Sequence, residues 1–455
     1  MRKLISGAAA AVRDWRRRAD ASTRAQFHAF RDGLAFRRSA RAWDDANRRA
    51  WMLERLRGQA RFAVQQFDFW RDRFHAAGIR QPDRLRPEEL CALPPLERDD
   101  LPPLFAEAQA KAGSMPAKIV RTGGSTGVPA EILKGPLELG WSESAPAFFR
   151  AQLGLPRTPR TAFVWGHHLD PITRATRRER LDDFLFQQLW VDIFRIDEES
   201  LRSADRVLER FAPELIIAYA SSLDAMAAAV NPDGRQRRPY PTRAIITGAE
   251  KLLPAYRERI SRTFAAPVYE QYGGRDVGLL AHQLDPAGGP LTVDWAQMYL
   301  EPEREEVEAP ILLTKLHADA MPVFRYRVGD LARFPEGSRP GAAALTLREV
   351  IGREMNMLWR PDGSRVSGIF FAHLFKDFPL REFQVRQDES FDVTVLLVPR
   401  EEFSDAHERA LETTLSENLA GCSLTIRRVN EVPRGANRKL HPVIAPARLP
   451  GSTTR

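Results

Sequence analysis

The sequence has few cysteines, few lysines and no long apolar run, and each shortage excludes a class of protein. Two cysteines, Cys91 and Cys422, are too few for a disulfide scaffold or a cysteine-based zinc site, and they fit a reducing cytoplasm. No window holds about 18 uninterrupted apolar residues, which excludes a membrane-spanning helix. The chain has eight lysines and 60 arginines. Such a bias is typical of the base composition of the genome, and it makes each lysine that is present a residue of interest. We therefore expect a cytoplasmic globular protein without a zinc site.

Positive charge is concentrated at one end of the chain. The 455 residues include 68 Lys and Arg against 60 Asp and Glu, a net charge of +8. Residues 1–60 hold 15 of the basic and 6 of the acidic residues, so the rest of the chain holds 53 and 54 and is almost neutral. A neutral body without a recognisable nucleic-acid module predicts no nucleic-acid partner. The basic arm is predicted to be a helical decoration with a solvated face, or else a peripheral contact with the inner face of the membrane.

Apolar residues at helical spacing predict helices over the N-terminal region. Phe27, Phe30 and Leu34 share one face of such a helix, with arginines on the other faces. The proline pair within residues 93–96 ends this pattern. We predict a helical N-terminal region over residues 1–100.

The middle of the chain alternates strands and helices. The predicted elements are strand 215–218, a helix over 223–230 capped by Ser221, strand 244–246, helix 252–264 and strand 268–272. This alternation with short turns indicates parallel βαβ units, in which ligands bind beyond the carboxyl ends of the strands. The polar segments 247–250 and 272–276 lie at those ends. We assign residues 101–351 to this domain.

The pattern restarts in the last hundred residues. Residues 391–398 alternate as a strand, 405–419 are helical, and 424–429 form another strand. These elements predict a small α+β domain over residues 352–445, followed by a tail over residues 446–455.

A glycine-rich and hydroxyl-rich segment has the composition of a phosphate-binding loop. Its glycines let backbone N–H groups turn toward an anion, and its hydroxyls add donors. The candidate phosphate ligands are Thr122, Gly123, Gly124, Ser125, Thr126 and Gly127. The segment lacks the Gly-Lys-Ser/Thr of a Walker loop, so a Gly/Ser hairpin or linker is the alternative.

Two later segments carry residues suited to a nucleotide. Tyr272, followed by Gly273, can stack on a base, and Asp276 can bind Mg²⁺ through oxygen. The alternative for that segment is a strand-to-turn corner. Asp330 follows a glycine at a predicted strand end and can accept hydrogen bonds from two vicinal sugar hydroxyls, although a β-turn aspartate has the same pattern.

Other candidates are isolated side chains. His167 and His168 follow a strand-like run and are candidate contacts for a substrate carboxylate or a metal, with a structural role equally open. Arg353 precedes a predicted tight turn at residues 360–363. Lys439 is a lone lysine on a loop near the C-terminus, where a solvated position is the alternative.

The order and spacing of these segments resemble the adenylate-forming superfamily, and within it the phenylacetate–CoA ligase-like and capsular-polysaccharide-biosynthesis branch. The family's phosphate loop, a Ser/Thr/Gly run ending Thr-Gly-Lys-Pro, is similar to residues 122–129. Its Tyr-Gly-x-x-Glu motif is similar to residues 272–276, and its Tyr-Arg-x-Gly-Asp motif to residues 326–330. Its Gly-Arg hinge and its C-terminal Pro-Arg-(x)n-Lys motif resemble residues 352–353 and 433–439.

The resemblance covers roughly residues 45–445 and implies a fold and a reaction. It implies an α/β protein with a large adenylate-forming domain built on parallel βαβ units and a small mobile α+β domain. A carboxylic acid would attack ATP to give acyl-AMP and pyrophosphate, and the acyl group would then pass to an acceptor, with the thiol of CoA the first candidate.

The resemblance also implies roles for residues. The phosphate loop, the segment Gly248, Ala249 and Glu250, Tyr272 with Gly273, Asp330 and Arg353 would bind ATP. Asp276 would hold Mg²⁺ and take part in catalysis with Lys439.

The alternative is a divergent homologue in surface-polysaccharide assembly. Such a protein would use a carrier-protein thiol, an amine or a sugar hydroxyl as acceptor, or would lack the thioester half-reaction. Val128 and Arg438 stand where the family usually has Lys and Gly, which favours this alternative. Asp330, Arg353 and Lys439 are retained and oppose it.

Overall fold

The structure is a computed structural model that places the chain in two compact units. It describes residues 21–112, 117–121, 131–156, 158–164, 187–191, 198–235, 240–353, 357–362, 365–367, 371, 374–375, 378–433 and 442–446. The first unit contains the described residues up to Val328 together with Ala332–Val350. The second contains Gly329–Leu331 and the described residues from Ile351 onward.

The described α-helices of the first unit lie between residues 21 and 264. They are α1 Ala21–Ser39, α2 Asp45–Gln66, α3 Asp68–Ala76, α4 Pro87–Leu90, α5 Leu101–Ala112, α6 Pro136–Gln152, α7 Glu198–Phe211, α8 Ala220–Val230 and α9 Pro254–Phe264. Helix α2 begins where the Asp44 carboxylate accepts a hydrogen bond from the Asn47 N–H, which satisfies one of the free donors of its first turn. Within the described residues, none of the helices is long and apolar enough to span a bilayer.

Strands of the first unit form three groups. They are β1 Lys118–Arg121, β2 Glu131–Lys134, β3 Thr161–Val164, β4 Gln188–Val191, β5 Leu215–Ala218, β6 Ala244–Thr247, β7 Val268–Gly274, β8 Gly278–Gln283, β9 Leu291–Val293, β10 Met298–Pro302, β11 Glu308–Lys315, β12 Tyr326–Arg333, β13 Thr346–Leu347 and β14 Glu349–Arg353. Strands β1 and β2 pair alone, and β10, β11, β12 and β14 form a four-stranded sheet. Strands β12 and β14 each run from the first unit into residues assigned to the second.

The largest sheet confirms the predicted parallel βαβ units. Its strand order is β13-β9-β8-β7-β6-β5-β3-β4. Strands β3 to β7 pair in parallel, and the chain turns back at the β7–β8 hairpin into the antiparallel end of the sheet. Strands β5 and β6 are buried along their whole length, which explains their continuous apolar sequence. One detail of the prediction is wrong, because helix α8 begins at Ala220 with Tyr219 as its N-cap residue, so Ser221 lies inside the helix.

The N-terminal helices are part of the first unit's core. Buried Leu56, Trp70 and Phe74 pack in the same cluster as Ile311 of β11, and the Trp70 Nε1–H donates to the carbonyl of Pro322 at 3.0 Å. The Arg37 guanidinium on α1 is buried against Asp294, with a closest N–O distance of 2.6 Å. The prediction of helices is therefore confirmed for the described residues up to 76, but the expectation of a surface decoration is wrong for them.

The second unit contains the predicted α+β elements. They are β15 Met357–Trp359, β16 Arg365–Ser367, β17 Leu380–Gln387, β18 Asp392–Pro399, α10 Asp405–Asn418, β19 Ser423–Arg428 and β20 Val443–Ile444. The sheet order is β19-β18-β17-β20, and buried Leu411 and Leu415 of α10 pack on the inward side chains of β18. The Ser404 hydroxyl accepts from the His407 N–H and caps α10.

Candidate functional site

Two of the predicted polar segments lie side by side at the carboxyl edge of the parallel strands. Residues Ile245, Ile246 and Thr247 of β6 pair in register with Val268, Tyr269 and Glu270 of β7. The Gly248 N–H donates to the carbonyl of Ala218 at 3.2 Å, which places this segment at the end of β5 as well. A Cβ atom on Gly248 would lie 3.0 Å from the Gln271 Cγ atom. The two segments are thus close enough that only glycine fits at 248 without a shift of its neighbour.

The segment after β6 holds an unusual backbone conformation. Ala249 has a φ of 65°, in the left-handed region that residues with a Cβ rarely adopt. Beyond it, the Leu252 N–H donates to Glu270 Oε1 at 3.5 Å, and Lys251 forms an ion pair with Glu349. Burial raises the pKa of the Glu270 carboxyl above its ordinary value. A strained residue held at a sheet edge is typical of ligand-binding segments.

The Tyr272–Asp276 segment forms a tight reversal between β7 and β8. Gly274 pairs with Gly278 across the hairpin. A Cβ on Gly273 would come within 2.2 Å of the Gly278 carbonyl oxygen, and one on Gly274 within 2.7 Å of Asp276 Oδ1. Gly273 therefore allows the backbones of β7 and β8 to approach closely, and Gly274 leaves space for the half-buried Asp276 carboxylate. This places Tyr272, Gly273 and Asp276 beyond the parallel part of the sheet, as predicted.

A buried lysine that the sequence analysis did not select reaches this turn. Lys134, the last residue of β2, donates from Nζ to the carbonyl oxygen of Arg275 at 3.1 Å. Its side chain is 4% exposed, and its Nζ lies 3.8 Å from Glu138 Oε1. Burial, together with the charge of Lys315, lowers the pKa of Lys134 to about 8, against the attraction of Glu138 and Asp276. The scarcity of lysine was the one sequence signal that pointed to it.

The start of helix α6 is fixed beside Lys134 by an acidic residue from another segment. Asp319 accepts hydrogen bonds from the backbone N–H groups of Leu137 at 2.9 Å and Glu138 at 3.2 Å. Its carboxylate thereby serves two of the free donors at the helix start. Burial raises the pKa of Asp319, since the hydrogen bonds offset only part of the loss of solvation. Lys134 and Glu138 are consequently held on well-defined elements.

The oxygen ligands at the turn suit a magnesium ion that arrives with phosphates. Asp276 offers one half-buried carboxylate, and Mg²⁺ in nucleotide sites is commonly held by one or two carboxylates with phosphate oxygens and water. Among the described residues, no group of three or more His, Cys, Asp or Glu side chains forms a metal site. One carboxylate at the turn fits a Mg²⁺ ion whose other ligands are phosphate oxygens and water.

Two predicted residues lie in the second unit. Asp330 is half-buried and lies in the interior of β12, so the expectation of a strand-end or β-turn aspartate is wrong. Gly329 before it has a φ of 80°, so the chain adopts there a left-handed conformation that glycine tolerates. Arg353 is the last residue of β14, after Gly352 with a φ of 115°. Glycine at positions 329 and 352 is thus explained by the local backbone conformation, because both residues have a positive φ.

Several predicted residues lie outside the described residues: Thr122, Gly123, Gly124, Ser125, Thr126, Gly127, His167, His168 and Lys439. The strands on either side of the first group are described. Arg121 of β1 pairs in register with Glu131 of β2, and their side chains form an ion pair at 2.8 Å. The chain between 121 and 131 therefore connects two antiparallel strands, the second of which ends at Lys134.

Comparisons with known sequences identify relatives of both parts of the chain. Residues 358–445 match the family described as CapK C-terminal domain. Protein CapK of Staphylococcus aureus is 22% identical over 283 residues, which cover 61% of this chain and 62% of that protein. Phenylacetate-coenzyme A ligase of Escherichia coli (strain K12) is 23% identical over 327 residues, covering 68% of this chain and 72% of that enzyme. The chain thus spans less than two thirds of the CapK relative.

Solved structures show the same fold. 2-Hydroxyisobutyryl-CoA ligase in the postadenylation state, in complex with 2-HIB-AMP, superposes with a TM-score of 0.63 at 16% identity, over 89% of this chain and 90% of that chain. An open conformation of that ligase with 2-HIB-AMP and CoA gives a TM-score of 0.56 at 15% identity, over 88% and 92%. These matches confirm the predicted fold class. Together with the sequence relatives, they confirm the resemblance to the adenylate-forming superfamily and its phenylacetate–CoA ligase-like and capsule branch.

Proposed function

We propose that the chain is an ATP-dependent acid ligase that activates a carboxylic acid as an acyl adenylate and then transfers the acyl group, with the thiol of CoA as the first candidate acceptor. The observation that carries this proposal is the meeting of Gly248–Glu250 with Tyr272–Asp276 at the carboxyl edge of β6 and β7. That edge is where nucleotides bind in open parallel sheets. The fold, shared with a ligase whose complex holds an acyl-AMP, supports the same reading.

The proposed reaction needs charge neutralisation more than proton transfer. A carboxylate oxygen forms a bond to the α-phosphorus of ATP, and the bond from that phosphorus to the bridging oxygen breaks, so that pyrophosphate leaves with the electron pair. Both reactants are anions, and no proton has to be removed. Preorganised donors and cations that act on the developing charge are therefore the main contribution expected from the protein.

The chain offers residues for each part of that task. In this proposal Thr122–Gly127 bind the phosphates, Tyr272 lies against adenine, and Asp330 accepts from the ribose hydroxyls. Asp276 holds Mg²⁺, which when bound would neutralise phosphate charge. Gly248, Ala249 and Glu250 line the nucleotide, with Gly273 beside Tyr272.

The remaining roles concern the substrate acid and the second domain. His167 and His168 are the proposed contacts of the acid. Lys439 would stabilise the transition state of adenylation, and Arg353 marks the hinge about which the small domain turns between the two half-reactions. In the second half-reaction a thiolate attacks the acyl carbon, the thioester bond forms, and AMP leaves.

ATP–pyrophosphate exchange tests the adenylation step without knowledge of the acceptor. The full chain is incubated with ATP, Mg²⁺, labelled pyrophosphate and a panel of aromatic, branched and hydroxylated carboxylic acids. Label should enter ATP with at least one acid and require that acid. Asp276→Asn is the matched control and should lose the exchange. Exchange that is absent with every acid, or that does not depend on an acid, would count against the proposal.

A second candidate function is acyl activation for surface-polysaccharide assembly. The match of residues 358–445 to the CapK C-terminal domain family favours it. In this case adenylation is retained but the acceptor is a carrier-protein thiol, an amine or a sugar hydroxyl. Wild-type protein that catalyses exchange, yet releases no AMP when CoA is added and does release AMP with an amino sugar or a carrier protein, would select this candidate over the CoA ligase.

A further inference from the structure

Four charged side chains from four separate segments meet at the turn that carries Asp276. Lys134 ends β2, Glu138 lies in the first turn of α6, and Lys315 ends β11. Lys315 Nζ donates to Glu138 Oε1 at 2.6 Å, and Lys134 Nζ lies 3.8 Å from the same oxygen. Lys134 in turn donates to the carbonyl of Arg275, the residue before Asp276. The Asp276 carboxylate is near enough to attract the Lys134 ammonium.

The polar atoms of this cluster make fewer hydrogen bonds, among the described residues, than we expect of buried charges that only support the fold. Lys315 and Glu138 are 1% and 2% exposed, and two ammonium groups share one carboxylate oxygen. In the described part of the chain, Glu138 Oε2 accepts no hydrogen bond. An ammonium has three donors, yet the Arg275 carbonyl is the one hydrogen-bond acceptor of Lys134 among these residues. Buried charges with unused donors are costly, and apolar replacements of such groups are often neutral or stabilising.

The position of Lys134 suggests why a costly buried charge is kept here. Residues 122–127 form the proposed phosphate loop and come before β2 in the chain. Lys134 lies on the strand that follows that loop, and its ammonium reaches the backbone of the Tyr272–Asp276 turn. One positive charge from β2 thus lies at the turn that carries Asp276.

We propose that Lys134 is a positioning residue of the nucleotide site, which fixes the turn that presents Asp276 to Mg²⁺. This inference rests on the proposed function. It assigns Lys134 no contact with the substrate acid. The Glu138 carboxylate attracts the Lys134 ammonium from 3.8 Å, and Asp319 holds the helix start on which Glu138 lies.

The test measures the affinity of the full chain for Mg·ATP by calorimetry, without any acid present. Lys134→Met removes the charge and the donor, and should weaken Mg·ATP binding by about tenfold, the usual size for loss of a charge-assisted hydrogen bond. Lys134→Gln keeps a donor and removes the charge, and should give an intermediate loss. Lys315→Met is the matched control, because it removes an equally buried ammonium from the same carboxylate. It should keep the wild-type affinity within about twofold.

A double-mutant cycle separates positioning from general damage. If Lys134 acts through Asp276, Lys134→Met should add almost nothing to the loss caused by Asp276→Asn. The melting temperatures of all variants are measured in parallel, and Lys134→Gln replaces Lys134→Met in the cycle if the latter fails to fold.

Three results overturn the inference while leaving the proposed function standing, and the first two are wild-type affinity in both Lys134 variants and losses at Lys134 and Asp276 that simply add. An equal loss in Lys315→Met would also overturn it, because the cluster would then act only through the fold. If the wild-type chain does not bind Mg·ATP at all, the proposed function fails, and the inference fails with it.

Discussion

Two buried ionic groups in the first unit differ in how fully their polar atoms are satisfied. Around Glu301, the Arg325 guanidinium donates to the carboxylate at 3.1 Å and to the carbonyls of Cys91 and Leu93, while the second carboxylate oxygen accepts from the Gly341 N–H. Around Glu138, two lysines share one oxygen and the other oxygen has no hydrogen bond in the described residues. The first arrangement ties together segments of the core, whereas the second lies next to the Asp276 turn.

We infer that this difference separates charge that serves the fold from charge that serves the proposed nucleotide site. A buried pair with further hydrogen bonds to the backbone is strongly destabilising to break, because one partner is left as an uncompensated charge. A cluster with unused donors leaves capacity for a further group. We therefore expect changes at Arg325 to appear in stability and changes at the Asp276 edge to appear in nucleotide binding and rate.

The largest expected effect is on the buried Arg325–Glu301 pair. Arg325→Met should lower the free energy of unfolding by about 3–5 kcal/mol, because it leaves Glu301 charged and buried. Chemical denaturation measures this loss. Arg304→Met is the control, since Arg304 and Glu306 form an exposed pair 2.8 Å apart and such pairs contribute about 1 kcal/mol or less. Equal effects of the two substitutions would show that the buried pair contributes no more to stability than the exposed pair.

Lys439 tests the opposite behaviour, a charge used in the reaction and not in the fold. Lys439→Ala should cut the single-turnover rate of adenylation by about 10²–10³-fold, which is the loss expected for one preorganised donor. Its melting temperature should stay at the wild-type value. Arg438→Ala serves as the comparison, because it removes the neighbouring charge. A collapse in Arg438→Ala with full activity in Lys439→Ala would reassign the role.

His282 tests a buried titratable group whose hydrogen bond among the described residues joins Nδ1 to the carbonyl oxygen of Gln283. It stacks on Phe149, with ring centroids 5.2 Å apart, and its Nε2 has no hydrogen bond among the described residues. Burial lowers its pKa from 6.5 to about 4. The unfolded chain therefore binds a proton between those values and the folded chain does not, so stability is complete above pH 6.5 and falls as the pH drops toward 4.

The contribution of His282 is measured as a difference between two pH profiles. Denaturation of wild type and His282→Gln from pH 4 to pH 7 should show a steeper acid loss in the wild type, up to about 3 kcal/mol across the window. Mg·ATP affinity at neutral pH should be equal in the two proteins. Parallel profiles would show that the histidine is not buried as a neutral group.

The smallest expected effect concerns Asp330. Asp330→Ala should weaken ATP binding by about 1–3 kcal/mol through loss of a charge-assisted hydrogen bond to the ribose. Binding of 2′,3′-dideoxy-ATP, which lacks both hydroxyls, should be the same in variant and wild type. An unchanged ATP affinity in the variant would exclude Asp330 from the ribose site.

The parallel strands could be predicted because their burial leaves a strong local signal. Strands β5 and β6 are covered on both faces, so their sequences Leu-Ile-Ile-Ala and Ala-Ile-Ile-Thr are apolar without alternation. The polar segments that follow these strands lie beyond the carboxyl ends of a parallel sheet, where ligands bind. The fold class, the parallel βαβ units and the location of Tyr272 and Asp276 beyond the strand ends were thus accessible from sequence.

The features that escaped prediction depend on contacts between distant segments. Lys134 and Arg275 are 141 positions apart, and no local pattern links a strand-end lysine to that carbonyl. Helix α1 looks solvated because it is rich in arginine, yet Arg37 is buried, since Asp294 lies 257 positions away and compensates its charge. Asp330 follows a glycine as turn residues do, but pairing within a sheet extends the strand past it.

The most direct test of the central claim is the identity of the nucleotide formed from ATP. The full chain is incubated with Mg·ATP, an acid that supports exchange and hydroxylamine, which traps an activated acyl group as the hydroxamate. Chromatography should show AMP and pyrophosphate in amounts equal to the hydroxamate. Formation of ADP and phosphate instead would contradict the account, because it would mean activation through an acyl phosphate and not through an adenylate.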